Sequence, residues 1–211
     1  FFVEGSTEEV VVRGLLKAIY GELDAAGFQV TNLEGTTALE RRRTLVDSAG
    51  SYAAHLALIF DREGSVEKDI EELERLNLIE AEQDAILWTK RGRPSSFEEA
   101  NYTPAELLAL IERAGKKRNS AAKLSLTVHE FNSAMKQERV RKGEQARAMA
   151  EVMLNMAANP QHGAVRVSKT ELGQEILANL LRTIRGRGSL PQATSRRPIL
   201  EFMARQVERS R

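Results

Sequence analysis

Three groups of acids stand where apolar runs end. Glu4 closes FFVEG ahead of Gly5, with Glu8 and Glu9 just beyond; Asp61 and Glu63 close HLALIFDREGS around Gly64; Glu98 and Glu99 follow AILWT at a short distance. Acids brought together repel one another unless cations neutralise them. Oxygen-only ligands suit hard divalent ions, Mg²⁺ or Mn²⁺, with Ca²⁺ able to occupy the same site. Structural duties compete with this reading. Glu9 stands three residues after Ser6 and Glu99 three after Ser96, spacings that a capping box explains, so both are set aside. Glu8, in the first turn of a helix, also complements the helix dipole. Glu4, Asp61 and Glu63 have no such duty.

Lys169 is the corresponding cation. Ser168 and Glu171 form a capping box that places Lys169 at the first helical position, where the positive end of the dipole disfavours it by about 0.3 to 1 kcal/mol. An exposed lysine tolerates that cost; a lysine facing an anion, such as a phosphate, is compensated for it.

The elements that must hold these residues are legible as alternating units. FFVEG, FQVTNLEG, AHLALIF and AILWT read as strands, the third apolar throughout as in a strand buried on both faces. Helices are expected over Ser6–Ala26, after the Thr37/Glu40 capping box, and over Ser65–Leu76. Repeated β-α units predict an α/β fold with a mainly parallel sheet flanked by helices, its function at the carboxyl ends of the strands. There all three acid groups converge.

After residue 100 the pattern becomes helical. Thr103, Pro104 and Glu106 start a helix, and Ser120 to Ala158 is charged, proline-free and helical in pattern, with Met149, Met153 and Met156 on one core-facing stripe. AVRV reads as a short strand, Ser168–Ile184 as a helix, and GRGSLPQATSRRP as a loop before a last helix. The expected organisation is a catalytic α/β domain over 1–118, a helical module over 119–160, a return to the first domain over 161–188 carrying Lys169, and a C-terminal linker and helix over 189–211.

Composition narrows the classes. A chain of 211 residues buries roughly 70% of its unfolded surface, enough for a sizeable core without staples. With no cysteine, disulfides, thiolate-bound zinc and a thiol nucleophile are excluded, and a reducing, cytoplasmic setting is expected. No apolar run approaches a membrane span, and FFVEGS is not a signal peptide. No phosphate-loop or dinucleotide fingerprint occurs, and the three histidines are too scattered to suggest a metal site or triad. The net charge of +1 conceals a division: residues 1–100 carry 11 basic and 20 acidic side chains, residues 101–211 carry 20 and 10. Such halves are either solvated faces or a cation-seeking cluster joined to a polyanion-seeking surface. Arg182, Arg185 and Arg187 are the arginines expected to follow a phosphate backbone.

FFVEGSTEE and LALIFDREG together resemble the two signature motifs of the Toprim domain of topoisomerases, primases and certain nucleases, over roughly residues 1–100. VEGSTEE, SFEEAN and SKTELGQEI look most like the OLD (overcoming lysogenization defect) family of nucleases. The acid-x-acid pattern departs from that family in its second acid, which is Glu63 here. The resemblance implies a metal-dependent DNA endonuclease with two Mg²⁺ or Mn²⁺ ions bound by Glu4, Glu8, Asp61, Glu63 and Glu98, Asp61 and Glu4 acting in catalysis and Lys169 stabilising charge. Glu4 is either a ligand or the general base, and Glu99 competes with Glu98. It further implies an ATPase domain ahead of this chain. DNA is the expected partner, with RNA left open; the alternatives are another Toprim enzyme, topoisomerase- or primase-like, and a non-catalytic metal-dependent nucleic-acid-binding module.

Overall fold

Side-chain alternation along short strands decides which helices lie on which face. In the computed structural model, which describes residues 1–34, 37–52, 55–61, 64–90, 93–142, 148–184 and 197–209, the sheet has the order β2-β1-β3-β4-β5. Its strands are β1 (Phe2–Val3), β2 (Thr31–Asn32), β3 (Leu58–Asp61), β4 (Ala85–Lys90) and β5 (Arg93–Pro94). β1 to β4 are mutually parallel, and β5 turns back antiparallel on β4. Phe2, Leu58 and Phe60 point to one face; Val3, Ile59 and Trp88 point to the other.

The first face packs against α2 (Ala38–Tyr52) and α3 (Gly64–Arg75) through Leu45, Val66, Ile70 and Leu73. The second carries a larger apolar layer built from α1 (Ser6–Tyr20), α5 (Phe97–Asn101), α6 (Pro104–Arg118), α7 (Val128–Lys142), α8 (Met149–Ala157), α9 (Lys169–Ile184) and α10 (Pro198–Arg209); the short α4 (Ala81–Asp84) leads into β4. The α/β class, a parallel sheet flanked by helices, is as the sequence predicts. Residues of 119–160 and of α10 enter the same core as α1, so the helical module and the last helix have no separate interior.

Among the described residues the most extensive helix pairing is α1 with α9. It depends on two glycines. A Cβ on Gly14 would stand 2.1 Å from Leu177 Cδ2, and one on Gly173 would stand 3.3 Å from the Thr7 carbonyl oxygen. Thus the start of α9 is held beside the start of α1.

Several expectations need correction. α1 ends at Tyr20 rather than Ala26, because Gly21 adopts φ 80°, where the chain leaves the helix. Its N-cap is Gly5, not Ser6: the Ser6 hydroxyl donates to Glu34 Oε2 at 2.5 Å instead, and Glu9 accepts from Arg13 and Asn32, each at 3.1 Å. Residues 120–158 are not one helix. A non-helical stretch precedes a Thr127/Glu130 capping box that opens α7, and α8 starts afresh at Met149. AVRV forms no strand; the Val165 amide donates to the Ala157 carbonyl, and its side chain fills the space over Gly115. The Thr37/Glu40, Thr103/Glu106 and Ser168/Glu171 boxes all form, and Met149 and Met153 are buried with Met156 packed alongside.

Candidate functional site

β1 and β3 end side by side, and the chain after β4 and β5 returns to the same edge. A cavity of about 230 Å³ opens there, and its wall includes Glu4, Glu8, Asp61, Glu98 and Lys169. Five predicted site residues from four sequence-distant segments therefore share one cavity.

The β3–β4 register sets Asp61 opposite Trp88, at the end of a strand whose preceding residues are fully buried. The Asp61 amide donates to Glu4 Oε2 at 2.8 Å, and Asp61 Oδ1 accepts from the Phe97 amide at 3.1 Å. The latter bond draws the start of α5 toward β3. Ser96 caps α5 by accepting from the Glu99 amide at 3.4 Å, which orders the turn bearing Glu98. Glu98 and Glu99 differ in position: Glu98 is 7% exposed on the cavity wall, whereas Glu99 accepts from Arg139 at 3.0 and 3.2 Å.

Electrostatics follows from this crowding. Burial pushes the Glu8 carboxyl well above its ordinary range, and the charges of Glu98, Asp61 and Glu4 push it further. Burial also raises Glu98; its own amide, Ser96, the Lys169 ammonium and Thr7 act in the opposite sense. The buried Thr7 hydroxyl lies close enough to Glu98 to favour its charged form. Lys169 is exposed at the first turn of α9 while its charge is felt inside the cavity.

A divalent cation fits the donor chemistry of this cavity: six carboxyls line it, and two of them, Glu8 and Glu98, are buried and disfavoured as anions. The side chains are not arranged as a chelate. Among the described residues, no three acids or histidines are grouped so as to hold one ion. In their present conformation, Glu4 accepts from the Asp61 amide and Asp61 from the Phe97 amide.

Glu63, Arg185 and Arg187 lie outside the described residues. Arg182 is exposed in the last turn of α9, roughly 20 Å along the helix axis from Lys169, so it does not reach the cavity. Sequence reasoning missed Glu34, Glu151 and Arg41, which also line the cavity. Glu34 has a weak sequence signal, an acid followed by a glycine at the end of the second predicted strand, FQVTNLEG. Glu151 enters from α8 and Arg41 from a run of three arginines, and neither carried one.

No family model, curated protein or solved structure matches this chain. Among the described residues, no helix is long and apolar enough to cross a membrane.

Proposed function

We propose that the chain is a Toprim-like catalytic unit, a metal-dependent phosphodiester hydrolase. Within that class we read it as an OLD-like DNA endonuclease fragment, its ATPase domain being expected ahead of these residues. The observation that carries the reading is the shared cavity of Glu4, Glu8, Asp61, Glu98 and Lys169 at the carboxyl edge of a parallel sheet.

Glu4, Glu8, Asp61 and Glu98, with Glu63, are the residues that would hold two ions, Mg²⁺ or Mn²⁺, with Ca²⁺ able to substitute. Bound there, such ions supply an activated water and neutralise the leaving oxygen of an in-line displacement. The chain's own part is positioning. Asp61 ends a rigid buried strand and is steadied by the Phe97 amide, so its carboxylate costs little to orient. Glu4 is held to β3 by the Asp61 amide and serves as ligand or general base. Lys169 places an ammonium where charge builds on the attacked phosphate. The cysteine-free sequence fits a cytoplasmic setting.

Supercoiled plasmid incubated with Mg²⁺, Mn²⁺, Ca²⁺ or chelator tests this directly. Nicking or linearisation in Mg²⁺ or Mn²⁺, abolished by chelator and by Asp61→Ala with the fold intact, is the expected result. Undiminished cutting by Asp61→Ala sinks the site assignment. A covalent protein–DNA adduct points instead to a topoisomerase-like enzyme, for which the buried Tyr102 is a poor nucleophile; the side chain of Tyr52 lies outside the described residues. Tight binding without turnover in any ion points to a non-catalytic module.

A further inference from the structure

Arg41 is 8% exposed, yet it forms part of the wall of the acid-lined cavity. Its Nε and Nη2 both lie 2.8 Å from Asp69 Oδ2, and Nη2 donates to Ser65 Oγ at 3.2 Å. Arg42 takes the other oxygen, with Nη2 2.8 Å from Asp69 Oδ1. One buried carboxylate thus serves two guanidinium groups and the cluster keeps one positive charge.

A tie between α2 and α3 needs a single cation, and the more exposed Arg42 already supplies it. A second, nearly buried guanidinium carries a desolvation cost that a shared carboxylate offsets only in part. Glu34 and Asp61 line the same cavity, but among the described residues neither pairs with Arg41. Its Nη1 has no partner there. The arrangement leaves the two N–H groups of Nη1, on a rigidly held and permanently charged guanidinium, ready for the oxygen of a visiting anion such as a phosphate.

Position identifies which phosphate. Arg41 enters the cavity from α2, on the face of the sheet that α2 and α3 cover, and Lys169 from α9, which packs on α1 over the opposite face. The two cations therefore approach the acids from opposite faces, on either side of the strand ends that carry Glu4 and Asp61. We propose that Arg41 binds a phosphate flanking the attacked one, with Asp69 as its positioning residue, so that the nucleic-acid strand crosses the carboxyl edge of the sheet from Lys169 to Arg41. This rests on the nuclease reading and adds the path of the substrate.

The test is a scan in which single phosphates of a cleavable oligonucleotide are replaced, one at a time, by neutral methylphosphonate. With wild-type protein in Mn²⁺, neutralising one flanking position is expected to lower kcat/KM by about ten- to a hundredfold. Arg41→Met is expected to lose a similar factor on the natural strand and to become indifferent to that one substitution, while staying sensitive at the others. Asp69→Asn shows part of the same loss. A merely structural Arg41 would reduce all substrates alike. A flat scan, or an Arg41→Met protein that keeps the wild-type pattern, overturns the proposal. Should Arg41→Met not unfold cooperatively, Arg41→Lys replaces it, with a diminished response at that position expected and an unchanged one decisive against. If wild-type protein cuts no strand in any divalent ion, the nuclease reading itself falls, and this inference with it.

Discussion

The Asp61 amide donates to the Glu4 carboxylate at 2.8 Å across 57 residues of sequence, stapling the ends of β1 and β3 through a side chain that also lines the cavity. Glu4 therefore has a structural task and a chemical one, and they separate by substitution. Glu4→Gln keeps an oxygen for the amide and should unfold in urea close to wild type; Glu4→Ala strands a partly buried donor and should cost about 1 to 3 kcal/mol. Both should fail to cut plasmid, and wild-type cutting by Glu4→Gln would remove Glu4 from the chemistry.

Divalent ions should stabilise the fold. Glu8 and Glu98 have raised folded-state pKa values, so their contribution to stability is full below the unfolded value of 4.5 and is lost as pH rises through the raised values. The ion-free protein should thus lose stability at these two groups as pH increases above 4.5, and added Ca²⁺ should restore more of it at high pH than near 4.5. An ion at a hundredfold its Kd contributes about 2.7 kcal/mol. Thermal unfolding with and without Ca²⁺ measures this, and Glu98→Gln should remove most of the difference.

Lys169→Ala should reduce cleavage by on the order of 10²- to 10³-fold, the usual consequence of deleting one group that stabilises transition-state charge. The Ca²⁺-induced rise in Tm should survive in this variant, because the carboxylates are untouched. Nearly normal cleavage by Lys169→Ala would exclude it from the mechanism.

The last helix is fastened by a titratable pair. Arg197 Nη2 lies 2.5 Å from Glu106 Oε1 and, as the main cause, lowers the Glu106 pKa to about 2 from an ordinary 4.5. A depressed carboxyl contributes stability above its unfolded pKa and loses it as pH falls through the folded one. The urea midpoints of wild type and Glu106→Gln should therefore differ by a constant amount above pH 5, and the gap should close between about pH 4.5 and 2. Glu106 is partly exposed, so the gap should be small and should shrink in salt.

Much of this architecture was legible because it is local. Capping boxes at Thr37, Thr103 and Ser168 and the apolar run before Asp61 fix element starts through contacts within a few residues. The convergence of Glu4, Asp61 and Glu98 followed from the rule that parallel strands end together. Errors arose where a distant partner won. Ser6 has the spacing of a cap but bonds Glu34, 28 residues away, and the Val165 segment has strand composition but completes a helical core. Arg41 was invisible for the same reason: nothing in a run of three arginines tells which one will find Asp69.

The sheet divides the interior unequally, with α2 and α3 closing a small apolar layer and the remaining long helices a much larger one. Amide protons should report that inequality. Those of α2 and α3 should exchange through a subglobal opening of lower free energy than those of α1 and α9. Such an opening would carry Arg41 and Asp69 away from the cavity while Glu8 and Lys169 stay in register. On that outcome the half of the site that would grip the strand and the half that would cut it would belong to different cooperative units, and the first could let go before the second unfolds.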